Sequence, residues 1–120
     1  MKNITAIKII GFVLAILPTV SFSKDATECV KIQKKLHGTE CSNTKSVKIL
    51  YANDCTVPIE IKFCVQRLNG TPACGNSEND PDIVSNKWVC EGTGKYWYQA
   101  RTKGSSMKFV TDTDIDWNAR

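Results

Sequence analysis

Six cysteines follow an apolar leader: Cys29, Cys41, Cys55, Cys64, Cys74 and Cys90. Their even number constrains the chain more than any other feature. In an exported chain of this size it reads as three disulfides. Each closed loop adds about 2–4 kcal/mol, so three rival the whole net stability of a small domain. Fifteen pairings are possible for six cysteines. Chain order favours Cys29–Cys41, with Cys55, Cys64, Cys74 and Cys90 tying a sheet. A zinc site fits poorly, because there is no C-x-x-C pair and only one histidine, His37.

The export reading rests on residues 1–23. Lys2 and Lys8 precede and flank an apolar run from Ile9 to Leu17, Pro18 breaks it, and Ser21 and Ser23 are spaced for cleavage before Lys24. That run is short for a membrane span, which needs about 20 apolar residues. A cleaved signal peptide (1–23) and one disulfide-bonded β-rich domain (24–120) are expected, secreted or periplasmic and without an anchor. The chain has 16 basic and 12 acidic residues. Losing Lys2 and Lys8 leaves 14 basic against the same 12, a charge of +2. So small an excess argues against nucleic acid as a partner.

Periodicity divides the remainder. KDATECVKIQKKLHG carries Cys29, Ile32 and Leu36 at i, i+3 and i+7, with Lys31, Lys34 and Lys35 facing away and Gly38 as a stop. This predicts one short N-terminal helix. From Thr44 the alternation has a period of two. Val47, Ile49 and Tyr51 share a face, as do Ile59, Ile61, Phe63 and Val65, which suggests an antiparallel pair. Residues 68–82 read as a long exposed loop pinned at Cys74. NKWVC reads as a short strand. KYWYQARTK and SMKFVTDTD read as a hairpin turning at Lys103–Ser106. The fold class is mainly β (α+β at most): the helix, then about five antiparallel strands in a small sandwich or partly open barrel. A role in a surface assembly would call for self-association through an unpaired edge strand, expected near Ser46 to Ala52.

Candidate chemistry is sparse. With every cysteine oxidised no thiolate remains, His37 lacks a partner, and neither a G-x-S-x-G elbow nor a glycine-rich phosphate loop occurs. No enzyme activity, cofactor or metal is expected. Glu78, Asp80 and Asp82 lack the glycine and distal glutamate of a calcium loop, and Asp112, Asp114 and Asp116 are read as an acidic face or tail. On β-alternation, Tyr96, Tyr98 and Ala100 point one way and Lys95, Trp97, Gln99, Arg101 and Lys103 the other. A tryptophan beside cationic and amide donors suits a carboxylate-bearing glycan, an acidic protein groove or a nucleotide base, so this row is the candidate binding face. The competing reading packs Trp97 under a loop, with lysine stems shielding it.

The run N-D-C-T-V-P-I-E-I-K-F-C (Asn53 to Cys64), with W-V-C (Trp88 to Cys90) and a later hairpin, resembles small exported bacterial cysteine-rich β-domains of unassigned function. Gly94, Tyr96, Lys103 and Gly104 are similar to elements of periplasmic C-type lysozyme inhibitors. The chain departs from those inhibitors in spacing, in lacking a tryptophan before the lysine, and in its six cysteines. The resemblances imply fold and compartment. The expected function is a small exported binding protein, a monomer with a protein or glycan partner. The alternatives are an envelope inhibitor or immunity-type protein, and a structural component of a surface assembly.

Overall fold

A computed structural model of the chain describes residues 25–41 and 44–118. The proposed signal peptide lies outside the described residues. Six antiparallel strands form two sheets: β1 (Val30–Cys41), β2 (Thr44–Asn53), β3 (Ile59–Arg67), β4 (Pro72–Asn79), β5 (Val84–Cys90) and β6 (Gly92–Thr102). One sheet has the order β1-β2-β5 and the other β4-β3-β6. Among the described residues the only helical turns are short 3-10 segments at Thr27–Cys29 and Asp112–Asp114. No described helix is long and apolar enough to cross a membrane.

The alternating apolar rows meet between the sheets. Val47, Ile49 and Tyr51 of β2 pack with Ile59, Ile61, Phe63 and Val65 of β3, Val89 of β5 and Ala100 of β6 in one buried cluster. Tyr51 stacks on Phe63 with ring centroids 4.2 Å apart, and Tyr96 and Tyr98 extend the stack at 5.7 and 5.8 Å from Phe63. β2 and β3 are thus the middle strands of opposite sheets, where the sequence suggested one hairpin. Residues 54–58 carry the chain from one sheet to the other. Ser46 to Ala52, expected at an edge, is paired on both sides.

Three further expectations are corrected. The N-terminal segment is not a helix: after one 3-10 turn it becomes β1 and pairs with β2 from Val30↔Asn53 to Cys41↔Thr44. Val30 and Ile32, two residues apart, turn towards the core, and β1 satisfies the backbone groups that β2 would otherwise leave open. Residues 72–79 are not loop but edge strand β4. Its inner row of Ala73, Gly75, Ser77 and Asn79 is small and polar, which is why it reads as a loop. SMKFVTDTD is not a return strand: after the turn at Lys103 and Gly104 the chain runs on without strand pairing.

The disulfides are Cys29–Cys55, Cys41–Cys90 and Cys64–Cys74, so the favoured Cys29–Cys41 pairing is overturned. With the helix absent, Cys29 and Cys41 stand at opposite ends of β1, about 40 Å apart if fully extended. Cys64 and Cys74 face each other across the β3–β4 ladder. Cys41–Cys90 joins the two edge strands of the other sheet, with Cα atoms 5.8 Å apart. Next-but-one strands lie about 10 Å apart, so β1 must fold inward to reach. The ladder irregularity between Gly38 and Cys41 provides that bend.

Two buried asparagines close one end of the core. Asn53 Nδ2 donates to Val57 O (2.8 Å) and Asn79 O (3.0 Å), while its Oδ1 accepts from Cys55 N (2.9 Å). Asn79 Nδ2 donates to Ile83 O and Ser85 Oγ, and its Oδ1 accepts from Ser77 Oγ. Removing either amide strands buried partners, so Asn79→Ala should lower stability by about 2–3 kcal/mol in chemical denaturation. Burial also raises the Tyr51 phenol above its ordinary value of 10.0, against a weaker opposing hydrogen bond from Ser77. The folded state therefore holds this proton more tightly than the unfolded chain. The associated stability is present below pH 10 and falls as pH rises above it. Denaturation midpoints should be flat in this respect through neutral pH and decline in strong alkali, less steeply in Tyr51→Phe.

Candidate functional site

Strand β6 turns Tyr96, Tyr98 and Ala100 inward, as its alternation requires. A bulge opens the strand: Val65 faces Tyr96, but Arg67 faces Gly92, and Gly94 takes up the distortion at φ +94°, a region that favours glycine. Lys95, Trp97, Gln99 and Arg101 consequently occupy the outer face. Their neighbours on β3 are Cys64 opposite Trp97, Lys62 opposite Gln99 and Glu60 opposite Arg101.

That face is not bare. Residues 105–112, beyond the Lys103–Gly104 turn, lie across it. Gln99 Oε1 accepts from Val110 N at 2.8 Å, and Lys62 Nζ donates to Val110 O at 2.8 Å while pairing with Asp112 at 2.5 Å. Arg101 donates to Met107 O, ion-pairs with Glu60 at 2.7 Å and stacks its guanidinium over Phe109 at 4.4 Å. Trp97 is only 6% exposed and offers no free platform. Lys95 is exposed, and Lys103 pairs with Glu78 at 2.7 Å. Glu78 raises the Lys103 pKa through a hydrogen bond and its charge, but the pair is open to solvent and contributes little. The predicted row thus exists as a row. Lys62 and Glu60, which complete it from the neighbouring strand, carry no sequence signal of their own.

The opposite outer face, on β1-β2-β5, has a different character. Burial of Val47, Ile49 and Tyr51 turns Lys48, Leu50 and Ala52 outward. The register then places Lys31 and Val84 beside Ala52, Lys34 and Asn86 beside Leu50, and Leu36 and Trp88 beside Lys48. An irregularity between Ile32 and Lys34 switches the parity of β1, so that Lys34 and Leu36 face out. Lys35 faces the other way, and its Nζ donates to Gly94 O at 3.0 Å. Trp88 is 42% exposed, Leu36 40% and Val84 50%. Lys31, Lys34 and Lys48 have no ion-pair or hydrogen-bond partner among the described residues. No carboxylate occupies any of these outward positions. Alternation in NKWVC could have flagged Trp88, since Val89 beside it is buried. Of the three lysines read as the wet side of a helix, Lys31 and Lys34 lie on one side of a strand and Lys35 on the other.

The acidic groups serve local structure. Asp112 pairs with Lys62, Asp114 accepts from Thr111 Oγ1, and Asp116 accepts from Asn118 N. Among the described residues no three His, Cys, Asp or Glu side chains are grouped to hold a metal ion. Of the residues similar to lysozyme inhibitors, Tyr96 packs towards the core and Gly94 lies in the bulge, while Lys103 and Gly104 form an exposed turn. No protein-family model, curated protein or solved structure matches the chain.

The two tryptophans separate the faces experimentally. Trp97→Ala should cost about 3–5 kcal/mol in denaturant unfolding, as for a buried aromatic. Trp88→Ala should stay within about 1 kcal/mol of the unaltered chain.

Proposed function

We propose that this protein is an exported, non-catalytic binding module that docks on anionic amphiphilic surfaces through the outer face of the β1-β2-β5 sheet. The observation that carries the reading is the group of unpartnered ammonium groups of Lys31, Lys34 and Lys48 around exposed Trp88, Leu36 and Val84, with no carboxylate in the same rows. A folded protein usually intersperses both signs of charge on its surface. A single-sign, half-apolar face suits a partner with negative charge over hydrocarbon. Tryptophan and lysine both tolerate such a boundary, since each has an apolar body and a polar end.

The export half of the reading is supported by three disulfides, which persist in oxidising compartments, and by the leader pattern of residues 1–23. Each lysine near an anionic surface contributes about 1 kcal/mol. Three give a weak, salt-sensitive attraction that burial of Trp88 and Leu36 reinforces. Docking by this face alone is therefore reversible.

Sedimentation with lipid vesicles tests the reading. The oxidised protein should bind phosphatidylglycerol-containing vesicles and not pure phosphatidylcholine, and it should dissociate as salt rises. The triple variant Lys31→Gln, Lys34→Gln, Lys48→Gln should bind about 100-fold more weakly, corresponding to the three lysine contributions. Equal binding to neutral vesicles, or full binding by the triple variant, rejects this function.

A further inference from the structure

The segment after Gly104 covers its sheet in an unusual way. It adds no strand, so all six strands keep their ladders without it, and no residue between 103 and 118 is fully buried. Its described anchors come from three side chains that rise from the sheet and read main-chain atoms. Arg101 takes Met107 O, Gln99 takes Val110 N, and Lys62 takes Val110 O. Any peptide that follows the strap's backbone course presents these groups, whatever its side chains at those positions. Among the described residues two strap side chains meet charged groups of the sheet: the Phe109 ring under Arg101 and the Asp112 carboxylate against Lys62.

Two more features point the same way. Beyond Phe109 the groove continues into an open cleft lined by Glu60, Asn76, Ser77, Glu78 and Arg101. At the other end the strap begins at Gly104, where φ is +85° and no heavy atom lies within 4 Å of a Cβ placed there. The turn is thus exposed and unpacked on that side. The strap is also acidic, with Asp112, Asp114 and Asp116 against one Lys108. It lies on a face where, among the described residues, Lys62 and Lys95 have no carboxylate of the sheet as ion-pair partner, while Arg101 and Lys103 pair with Glu60 and Glu78.

We infer that the outer face of the β4-β3-β6 sheet is a peptide-binding groove, and that residues 105–118 are its intramolecular occupant. The groove takes an extended, acidic segment of a partner protein that has an aromatic residue three positions before a carboxylate. Such a segment displaces the strap by supplying the same five contacts. This groove lies on the sheet opposite the lysine face, and the inference does not depend on the vesicle reading.

The test uses the full chain with a weakened strap, Phe109→Ser with Asp112→Asn, and a fluorescent peptide copying residues 105–118. Anisotropy should show the peptide binding this chain at least tenfold more tightly than the unaltered chain, where the tethered strap competes. A peptide carrying the same two changes should bind at least tenfold more weakly. Adding Lys62→Met to the weakened chain should abolish capture; if near-ultraviolet circular dichroism shows that chain unfolded, Gln99→Ala takes its place. The lysine-face triple variant, combined with the weakened strap, should keep full capture. The inference is overturned if the folded, weakened chain ignores the peptide, or if weakened and unaltered chains bind it equally. It is also overturned if sedimentation velocity shows the unaltered chain forming concentration-dependent dimers that the free peptide dissolves, which gives the groove to a second copy.

Discussion

The stacking of Tyr51 on Phe63 sets everything else in this structure. It joins the middle strands of the two sheets, and both rings are almost wholly withdrawn from water. Once these two residues point inward, the period of two in β2 and β3 determines which residues point outward. Lys48 and Leu50 follow on one side, and Glu60, Lys62 and Cys64 on the other. A one-residue slip in either strand would exchange core for surface and bury lysines where the aromatic stack now lies.

The disulfides tie together the margins of the two sheets. Cys29–Cys55 ties the entrance to β1 to the crossover between sheets, and Cys41–Cys90 ties the two edges of one sheet. Cys64–Cys74 lies within a ladder and holds the polar edge strand β4 to its neighbour. β4 has few apolar side chains of its own, so covalent attachment and the Asn79 network substitute for hydrophobic packing.

The outer faces divide the functional possibilities. The β4-β3-β6 face is polar, charged in both signs and covered by the chain's own C-terminal segment. The β1-β2-β5 face carries uncompensated positive charge beside exposed apolar groups, and none of the described segments crosses it. We propose the first for a peptide partner and the second for an anionic surface. One molecule using both would join a partner protein to such a surface.

Local pattern was enough to read the β-rich class, the oxidised state of the six cysteines, the strands β2, β3, β5 and β6, and the parity of β6 that separates Tyr96 from Trp97. These depend on local alternation and on cysteine number, which a linear reading contains. That the lysine-rich N-terminal segment is a strand, that residues 72–79 complete a sheet, and that Trp97 is buried follow instead from contacts between elements. The helical stripe of Cys29, Ile32 and Leu36 was a real periodicity, overruled because β2 needed a partner along its open edge and Cys55 held Cys29 in place. Which lysines lack partners, and which tryptophan meets solvent, depends on cross-strand neighbours such as Trp88 beside Lys48 and Cys64 beside Trp97, and local pattern carries no record of such contacts.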